Sequence, residues 1–316
     1  MKDSIKVSVC IITFNHADYV KQAVDSVLEQ KVDFPIEILI ADDCSTDTTQ
    51  EILRTYEGKH PNLQMNLRKV NLWGKPDSCS WLLHKAARGK YIITLEGDDF
   101  WLDPHKLQKQ ADFLDAHDDY IAVAHPCLVV GDNSEPNGET YPDCRDAEYT
   151  FDHYASNILP GQTTTIMYRN VYRGTPRADL SIMHKALSPG DRLLNFLLLC
   201  NGRVGCLKDC MSAYRHVTTH GSSFSATFKP NFLRDLNWYR ELLAYARKNA
   251  DKRGVVAAQI FLIGYYRSNI LGLHSNNRWK AFCCWLREDF YLVSYVKYVE
   301  GIINRKLLHK TPCIHL

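Results

Sequence analysis

The sequence predicts an α/β fold: a mostly parallel sheet flanked by helices, followed by a C-terminal helical segment. Strand-like and helix-like stretches alternate about every 30 residues through the first hundred positions, the pattern of a parallel sheet with helical crossovers. The strand candidates are apolar on both faces, as strands covered from two sides must be. From Asn231 the strand signal stops and helical stretches follow.

Val7–Thr13 is rich in β-branched residues and reads as the first strand. After the loop Phe14-Asn15-His16, the stretch 17–30 places Tyr19, Ala23, Val24, Val27 and Leu28 at helical spacing. Pro35 precedes a second strand, 36–40, which runs into Ala41-Asp42-Asp43-Cys44-Ser45-Thr46-Asp47. Asp47-Thr48-Thr49-Gln50 has the form of a capping box opening a helix over 48–56. Residues 63–67 form a third strand, 71–80 a turn-rich loop, 81–87 a helix and 91–95 a fourth strand. Beyond these the sequence predicts a helix at 106–117, a strand at 121–130 and a polar, acidic insertion at 131–148. A strand at 162–168, a helix at 191–200 and short strands at 204–207 and 210–214 follow. Three helical stretches, 232–248, 255–271 and 277–308, close the chain.

The length, 316 residues, suffices for one large or two modest domains. The net charge of +2 is unevenly spread: residues 226–316 carry fifteen Lys and Arg against six Asp and Glu, which leaves the first 225 residues acidic. An acidic body excludes nucleic acid as the expected partner. The apolar run 7–12 is too short for a signal or a membrane span. Eleven cysteines, an odd number with no Cys-x-x-Cys, point to free thiols in a reducing, cytoplasmic setting.

The chemistry is concentrated in Leu95-Glu96-Gly97-Asp98-Asp99-Phe100-Trp101. Three carboxylates within four residues at a strand end repel one another unless a cation or hydrogen-bond donors lie between them. Hard oxygen ligands suit Mg²⁺ or Mn²⁺, and Gly97 lets backbone approach a ligand. A solvated acidic turn is the plainer alternative. Thr13-Phe14-Asn15, Asp42-Asp43 and the acidic heptapeptide all follow strands, and in parallel α/β sheets ligands bind beyond the carboxyl ends of strands. No Gly-x-Gly and no Walker loop occurs, so phosphates would be handled by a metal rather than by a glycine-rich loop.

These residues, in this order, resemble a family 2 glycosyltransferase with the GT-A fold. The resemblance continues in Asp103-Pro104-x-Lys106-Leu107-x-x-Gln110, Thr164–Arg169, Gly190-Asp191, and Met211-x-x-Tyr214-Arg215 followed by His220-Gly221, and it covers roughly residues 5–225. It implies a catalytic domain over 1–225 and a separate basic, aromatic-rich helical region over 226–316. It also implies an inverting, metal-dependent transfer from a nucleotide-sugar donor, a UDP-sugar in most relatives. The acceptor would be a saccharide or polyprenyl-linked saccharide, in bacterial surface-polysaccharide synthesis such as capsule or O-antigen. On the resemblance Asp98 is the direct ligand of Mn²⁺ or Mg²⁺, with Glu96, Gly97 and Asp99 supporting it or touching ribose. Asp42 accepts from the imide N–H of the base, Thr13, Phe14 and Asn15 line the base pocket, and Asp43 supports them or caps the next turn. Arg215 and His220 close over the diphosphate. Asp191 matches the general base, and read without the resemblance it is an N-terminal helix cap. Two departures stand out: the acidic triplet begins with Glu96 where many relatives have Asp, and Trp81 and Leu83 replace an Asn and a Gly.

Trp101 suits an acceptor platform or the core. Residues 277–310 interleave Trp, Phe and Tyr with Lys and Arg, which fits either an interfacial helix on an anionic membrane surface or a helix packed on the protein. Two rival functions remain at this point: a sugar-nucleotide pyrophosphorylase-like nucleotidyltransferase, which would carry a glycine-rich basic N-terminal loop, and a non-catalytic nucleotide-sugar binding module.

Overall fold

The computed structural model describes residues 4–72, 75, 77–173, 178–185, 190–217, 230–272, 277–288, 291–307 and 313–316. The chain divides into two compact units. The first comprises residues 1–148, 160–180 and 201–228, the second 149–159, 181–200 and 229–316.

The first unit is built on a sheet whose first strands are β1 (Val7–Thr13), β2 (Ile36–Asp42), β3 (Leu63–Leu67) and β4 (Tyr91–Glu96). Farther along the chain come β6 (Tyr120–Ala124), β8 (Glu148–Tyr149), β9 (Met167–Arg169) and β10 (Arg203–Cys206). The spatial order is β3-β2-β1-β4-β9-β6-β10-β8. Strands β1 to β4 are mutually parallel, and β9 runs antiparallel between β4 and β6. Helices α1 (Val20–Leu28), α2 (Thr49–Arg54), α3 (Cys79–Ala86) and α4 (Lys106–Ala116) connect them. Alternation along β1 explains the two coats. Val7, Val9 and Ile11 join Val20, Ala23, Val24 and Val27 of α1 and Leu107, Ala111 and Leu114 of α4 in one core. The opposite face carries Ser8 and Cys10, and there α3 covers the sheet through His84, whose Nε2 lies 2.9 Å from Thr94 Oγ1 on β4.

A second, three-stranded sheet has the order β5 (Phe100–Trp101), β11 (Ser212–Arg215), β7 (Cys127–Val130). The single strand expected at 121–130 is therefore two strands in different sheets. Pro126, which has no N–H to give a ladder, stands at the switch. The expected capping box is also incomplete. Only its first half forms: Asp47 Oδ1 accepts from Thr49 N at 3.0 Å, while the Gln50 side chain reaches Asp42 Oδ1 and Arg68 O and does not return to Asp47. The strand expected at 162–168 begins as a 3-10 turn, Thr163–Thr165.

The second unit contains α5 (Phe151–Ala155), α6 (Gly190–Asn201), α7 (Phe232–Asn249), α8 (Lys252–Leu271), α9 (Arg278–Trp285) and α10 (Leu292–Leu307). Tyr154 of α5 packs on Phe196 of α6 and on Phe261 of α8, with ring centroids 5.1 and 4.9 Å away. Those contacts draw 149–159 and 181–200 into this unit, alongside the C-terminal segment from residue 229. Helix α8 starts before the expected Val255 because Asp251 caps it, accepting from Gly254 N at 2.9 Å. Gly254 is required there: a Cβ would meet the Phe151 ring at 2.7 Å. The last helical stretch is two helices, broken after Trp285.

His84 allows a pH prediction. Burial pushes its imidazole down from 6.5 to about 4. Between those values the unfolded chain takes up a proton that the folded chain refuses, so stability falls as pH drops from 6.5 toward 4. The loss amounts to on the order of 3 kcal/mol at the acid end. Denaturant unfolding followed across this range should show that slope, and His84→Gln should flatten it. An unchanged slope in the variant would assign the acid sensitivity elsewhere.

Candidate functional site

Strands β1, β2 and β4 end together. Thr13 pairs with Asp42 across β1 and β2, and Ile12 with Glu96 across β1 and β4. The loops beyond β1 and β2 are tied to each other. Asn15 takes a left-handed conformation, φ 53°, which an Asn tolerates better than most residues. Its N–H donates to Ser45 Oγ at 2.8 Å and its Oδ1 accepts from Thr46 N at 2.7 Å. His16 N donates to Thr49 Oγ1 at 2.9 Å. Phe14 is half-buried in the same loop.

The two aspartates after β2 have different surroundings. Asp42 is fully buried, and both its oxygens are occupied by protein: Oδ1 by Ser45 N at 2.9 Å and by Gln50 Nε2, Oδ2 by the Ser45 hydroxyl. That network holds the turn after β2 and occupies both oxygens that were expected to meet a base. Asp43 is held at one oxygen, which accepts from Leu72 N at 2.9 Å and lies 3.4 Å from Arg68 Nη1. Its own N–H donates to Thr13 O, fixing it beside the end of β1.

The acidic loop packs against the end of β1 with no room for a side chain at Gly97. A Cβ there would meet Thr13 Oγ1 at 2.7 Å and His16 Nδ1 at 2.9 Å. Glu96 Oε2 accepts from Gln162 Nε2 at 2.8 Å. Asp99 is buried, and its Oδ1 accepts from Arg215 N at 2.8 Å. Burial, then the charges of Asp98 and Glu96, hold the Asp99 carboxyl well above the usual carboxylate range, with Arg215 pulling the other way. Asp98 keeps its carboxylate partly exposed; Oδ2 lies 3.6 Å from His16 Nε2, beyond hydrogen-bond reach. Thr13 Oγ1, His16 Nδ1 and Asp99 Oδ2 are buried without a hydrogen-bond partner among the described residues. Buried polar atoms left unsatisfied call for an explanation, and a water, an ion or a ligand would supply one.

Arg215 is buried, and its guanidinium is saturated by protein acceptors. Nε donates to Asp98 O at 2.9 Å, Nη1 to Gly131 O and Asp132 O at 2.8 Å each, and Nη2 to Gln22 Oε1 and Ser134 Oγ at 2.9 and 3.0 Å. All five donors are engaged, so Arg215 fixes the acidic loop and does not offer itself to a diphosphate. His220 lies outside the described residues. Trp101 is core: its ring is buried, Nε1 donates to Thr164 Oγ1 at 2.9 Å, and the buried Lys106 ammonium sits 4.6 Å from the ring centroid.

Asp191 belongs to the second unit and stands inside the first turn of α6, not at the capping position. Its Oδ1 accepts from Arg192 N at 2.7 Å. Burial raises its carboxyl above the ordinary range, and the Arg192 charge and N–H oppose the rise. A carboxylate so placed is a better proton acceptor than an exposed one.

No three His, Cys, Asp or Glu side chains among the described residues converge as a protein-only metal cage. Asp98, with Glu96 beside it, suits an ion that takes its other ligands from phosphate and water, the habit of Mg²⁺ at nucleotide sites. The sequence reading missed His16, Gln162 and Arg68. His16 was within reach of the same reasoning, since it follows Asn15 beyond a strand end; Gln162 and Arg68 come from distant segments.

Replacing Arg215 tests the clamp. Arg215→Ala leaves the carbonyls of Asp98, Gly131 and Asp132 without their donor in a partly buried place and should cost about 2–4 kcal/mol in urea unfolding. Arg215→Lys, which keeps the charge without the fork, should fall between. A loss below about 1 kcal/mol for the alanine variant would show that the clamp contributes little.

Comparison with known proteins gives the family and the fold. The family model described as glycosyl transferase family 2 matches residues 8–170, just over half the chain. An uncharacterised protein of Mycobacterium tuberculosis (strain ATCC 25618 / H37Rv) is 33% identical over 221 residues, which is 69% of this chain and 61% of that protein. The chain thus spans about three fifths of the length of that relative. The poly(ribitol-phosphate) beta-N-acetylglucosaminyltransferase TarS of Staphylococcus aureus (strain Mu50 / ATCC 700699) is 32% identical over 116 residues, 36% of this chain and 19% of TarS. Residues 1–349 of TarS in complex with UDP-GlcNAc share the fold, with a TM-score of 0.67 at 20% identity over 96% of this chain and 86% of that one. The mannosyltransferase PcManGT from Pyrobaculum calidifontis, in complex with GDP-Man and Mn²⁺, gives a TM-score of 0.52 at 13% identity, covering 98% of this chain and 83% of that one. The chain belongs to glycosyl transferase family 2.

Proposed function

We propose that this chain transfers a sugar, with inversion, from a nucleotide-sugar donor, a UDP-sugar first among them, to a saccharide or polyprenyl-linked saccharide acceptor in surface-polysaccharide synthesis. The observation that carries the reading is the convergence of three strand ends on Thr13, Asp43 and the Glu96–Asp99 loop, with three buried polar atoms there left unsatisfied. TarS, named for transfer of N-acetylglucosamine to poly(ribitol phosphate), supports the polysaccharide setting. The UDP-GlcNAc in the TarS structure and the GDP-Man and Mn²⁺ in the mannosyltransferase structure support the donor class and the ion.

Each residue then has a task. Asp43, rather than the occupied Asp42, accepts from the base, with Thr13 and the Asn15 loop framing the pocket. Asp98 holds a divalent ion, and Glu96, pinned by Gln162, supports it. Mn²⁺ or Mg²⁺, when bound, supplies positive charge to the leaving diphosphate. Asp99 relaxes its repulsion with Asp98 and Glu96 when positive charge arrives. Asp191 takes the proton of the acceptor hydroxyl, a role that rests on the resemblance and on its raised affinity for a proton. The setting is the cytoplasm, at the inner face of the membrane where a polyprenyl-linked acceptor is presented. No helix among the described residues is long and apolar enough to cross a membrane.

A thermal-shift panel of nucleotide sugars with and without Mn²⁺, followed by an assay of nucleoside diphosphate release, tests the proposal. A true donor raises the melting temperature by mass action. Release that requires donor and acceptor together separates transfer from pyrophosphorolysis and from mere binding. Asp98→Asn should keep the fold and lose the Mn²⁺-dependent part of donor binding; full activity in excess chelator would remove the metal.

Asp191→Asn should lower turnover by roughly 100- to 10,000-fold with donor affinity unchanged. Because the carboxyl is raised, the acid limb of the wild-type pH–rate profile should lie above the ordinary carboxylate value of about 4, and the variant should lose it. Near-normal turnover in the variant would leave Glu96, Asp99 or an acid of 131–148 as the next bases to test.

A further inference from the structure

Helix α10 is apolar on two opposite sides. One side faces its own unit: Ser294 is buried and donates to Gln259 Oε1, Tyr298 lies against Gly264 of α8, and Gly301 is close-packed on Ile314. These positions are spaced by four and three, one stripe of a helix. The other side carries Leu292, Val296, Val299 and Ile303 at the same spacing, two positions out of phase and so roughly 200° around the helix. All four are exposed, from 44% to 62%, and Val293 beside them is 63% exposed. Five aliphatic side chains standing in water on one helix is more than scattered surface hydrophobicity explains.

The stripe is continued by α9. Trp279, 77% exposed, neighbours Phe282, which neighbours Trp285, with ring centroids 5.9 Å apart at each step. Trp285 Nε1 donates to the hydroxyl of Tyr295, which lines a shallow, mostly apolar depression with Val296, Val299, Ile303 and Glu300. The exposed charges around this strip are mostly positive. Arg278, Lys280 and Arg287 are exposed, whereas the one exposed acid of α10, Glu300, faces Lys297 at 3.7 Å. Glu288 is turned inward onto Arg240 and Tyr266.

We propose that the α9–α10 strip docks on an anionic lipid surface, with Trp279 and the aliphatic row of α10 entering the headgroup boundary and Arg278, Lys280 and Arg287 pairing with lipid phosphate. An exposed Trp, aliphatics on one helix face and flanking cations are the ingredients of an interfacial helix. A second copy of the chain is a poorer occupant, because the exposed cations Lys280 and Arg287 outnumber the exposed acid Glu300 and two such net-positive surfaces repel. The docking needs nothing from the catalytic residues and stands apart from the proposed reaction.

The experiment is flotation of the whole chain with phosphatidylcholine vesicles, with and without phosphatidylglycerol, at low and high salt. Binding should require phosphatidylglycerol and weaken with salt. Lys280→Glu with Arg287→Glu should reduce it by at least about tenfold. Val296→Ser with Val299→Ser should reduce it comparably while leaving the melting temperature and the circular dichroism spectrum unchanged, since both side chains are exposed. Light scattering of the wild type and the serine variant accompanies the flotation. No flotation with anionic vesicles, equal flotation with neutral ones, or a wild-type dimer that the serine pair converts to a monomer would each overturn the proposal.

Discussion

Arg215 sets the geometry on which the candidate site depends. Its backbone N–H holds the Asp99 carboxyl and its Nε holds the Asp98 carbonyl, so one residue fixes both the proposed metal ligand and its neighbour. The other four donors fasten the turn at 131–134 and the Gln22 side chain of α1. A guanidinium is suited to this, because its five donors lie in a rigid plane and its charge does not titrate. The Tyr19 ring, 4.3 Å from the guanidinium carbon, covers the cation from one face. The acidic loop is thereby held before any ligand arrives, which lowers what binding must later pay in ordering.

That rigidity is bought against electrostatic opposition. Glu96, Asp98 and Asp99 crowd one turn, and burial together with the charges of its two neighbours raises the carboxyl of the most buried, Asp99. A cation would relieve the same repulsion that now raises its affinity for a proton. Gly97 tightens the arrangement: without a Cβ, the loop closes on Thr13 and His16 and leaves their polar atoms facing a confined space. The unsatisfied atoms and the raised carboxyl have a common cause, namely polar groups assembled at the end of a parallel sheet without the partner that would compensate them.

How much of this was legible in the sequence follows from the range of each interaction. β1, β2 and β4 could be placed because apolar periodicity is local, and the acidic heptapeptide could be placed because it directly follows a strand. The division of labour between Asp42 and Asp43 could not, because it depends on Gln50 leaving its expected cap to reach Asp42 and on Leu72 and Arg68 arriving from beyond β3. Arg215 was expected at a diphosphate because Arg so often serves there; its acceptors lie 81 to 193 residues away in sequence, where no local pattern could show them. The strand at 121–130 was one apolar run to the eye, and only Pro126 signalled that it changes sheets. Asp191 read as a cap or a base because helix starts favour acids for either purpose; its place one residue inside the helix removes the capping role.

The C-terminal helices show why two readings of one segment could both be sound. The sequence of 277–310 offered packing or docking as alternatives, since a mixture of aromatics and cations suits both. In the folded unit the two belong to different faces of the same helix. Ser294, Tyr298 and Gly301 are small or polar-tipped, and they let α10 lie close on its neighbours. Leu292, Val296, Val299 and Ile303 are branched aliphatics that remain 44% to 62% exposed. A helix that already packs through its small face gains no further intramolecular stability from a second apolar face. Exposed aliphatics cost solubility, and this second face is the observation on which the docking proposal rests.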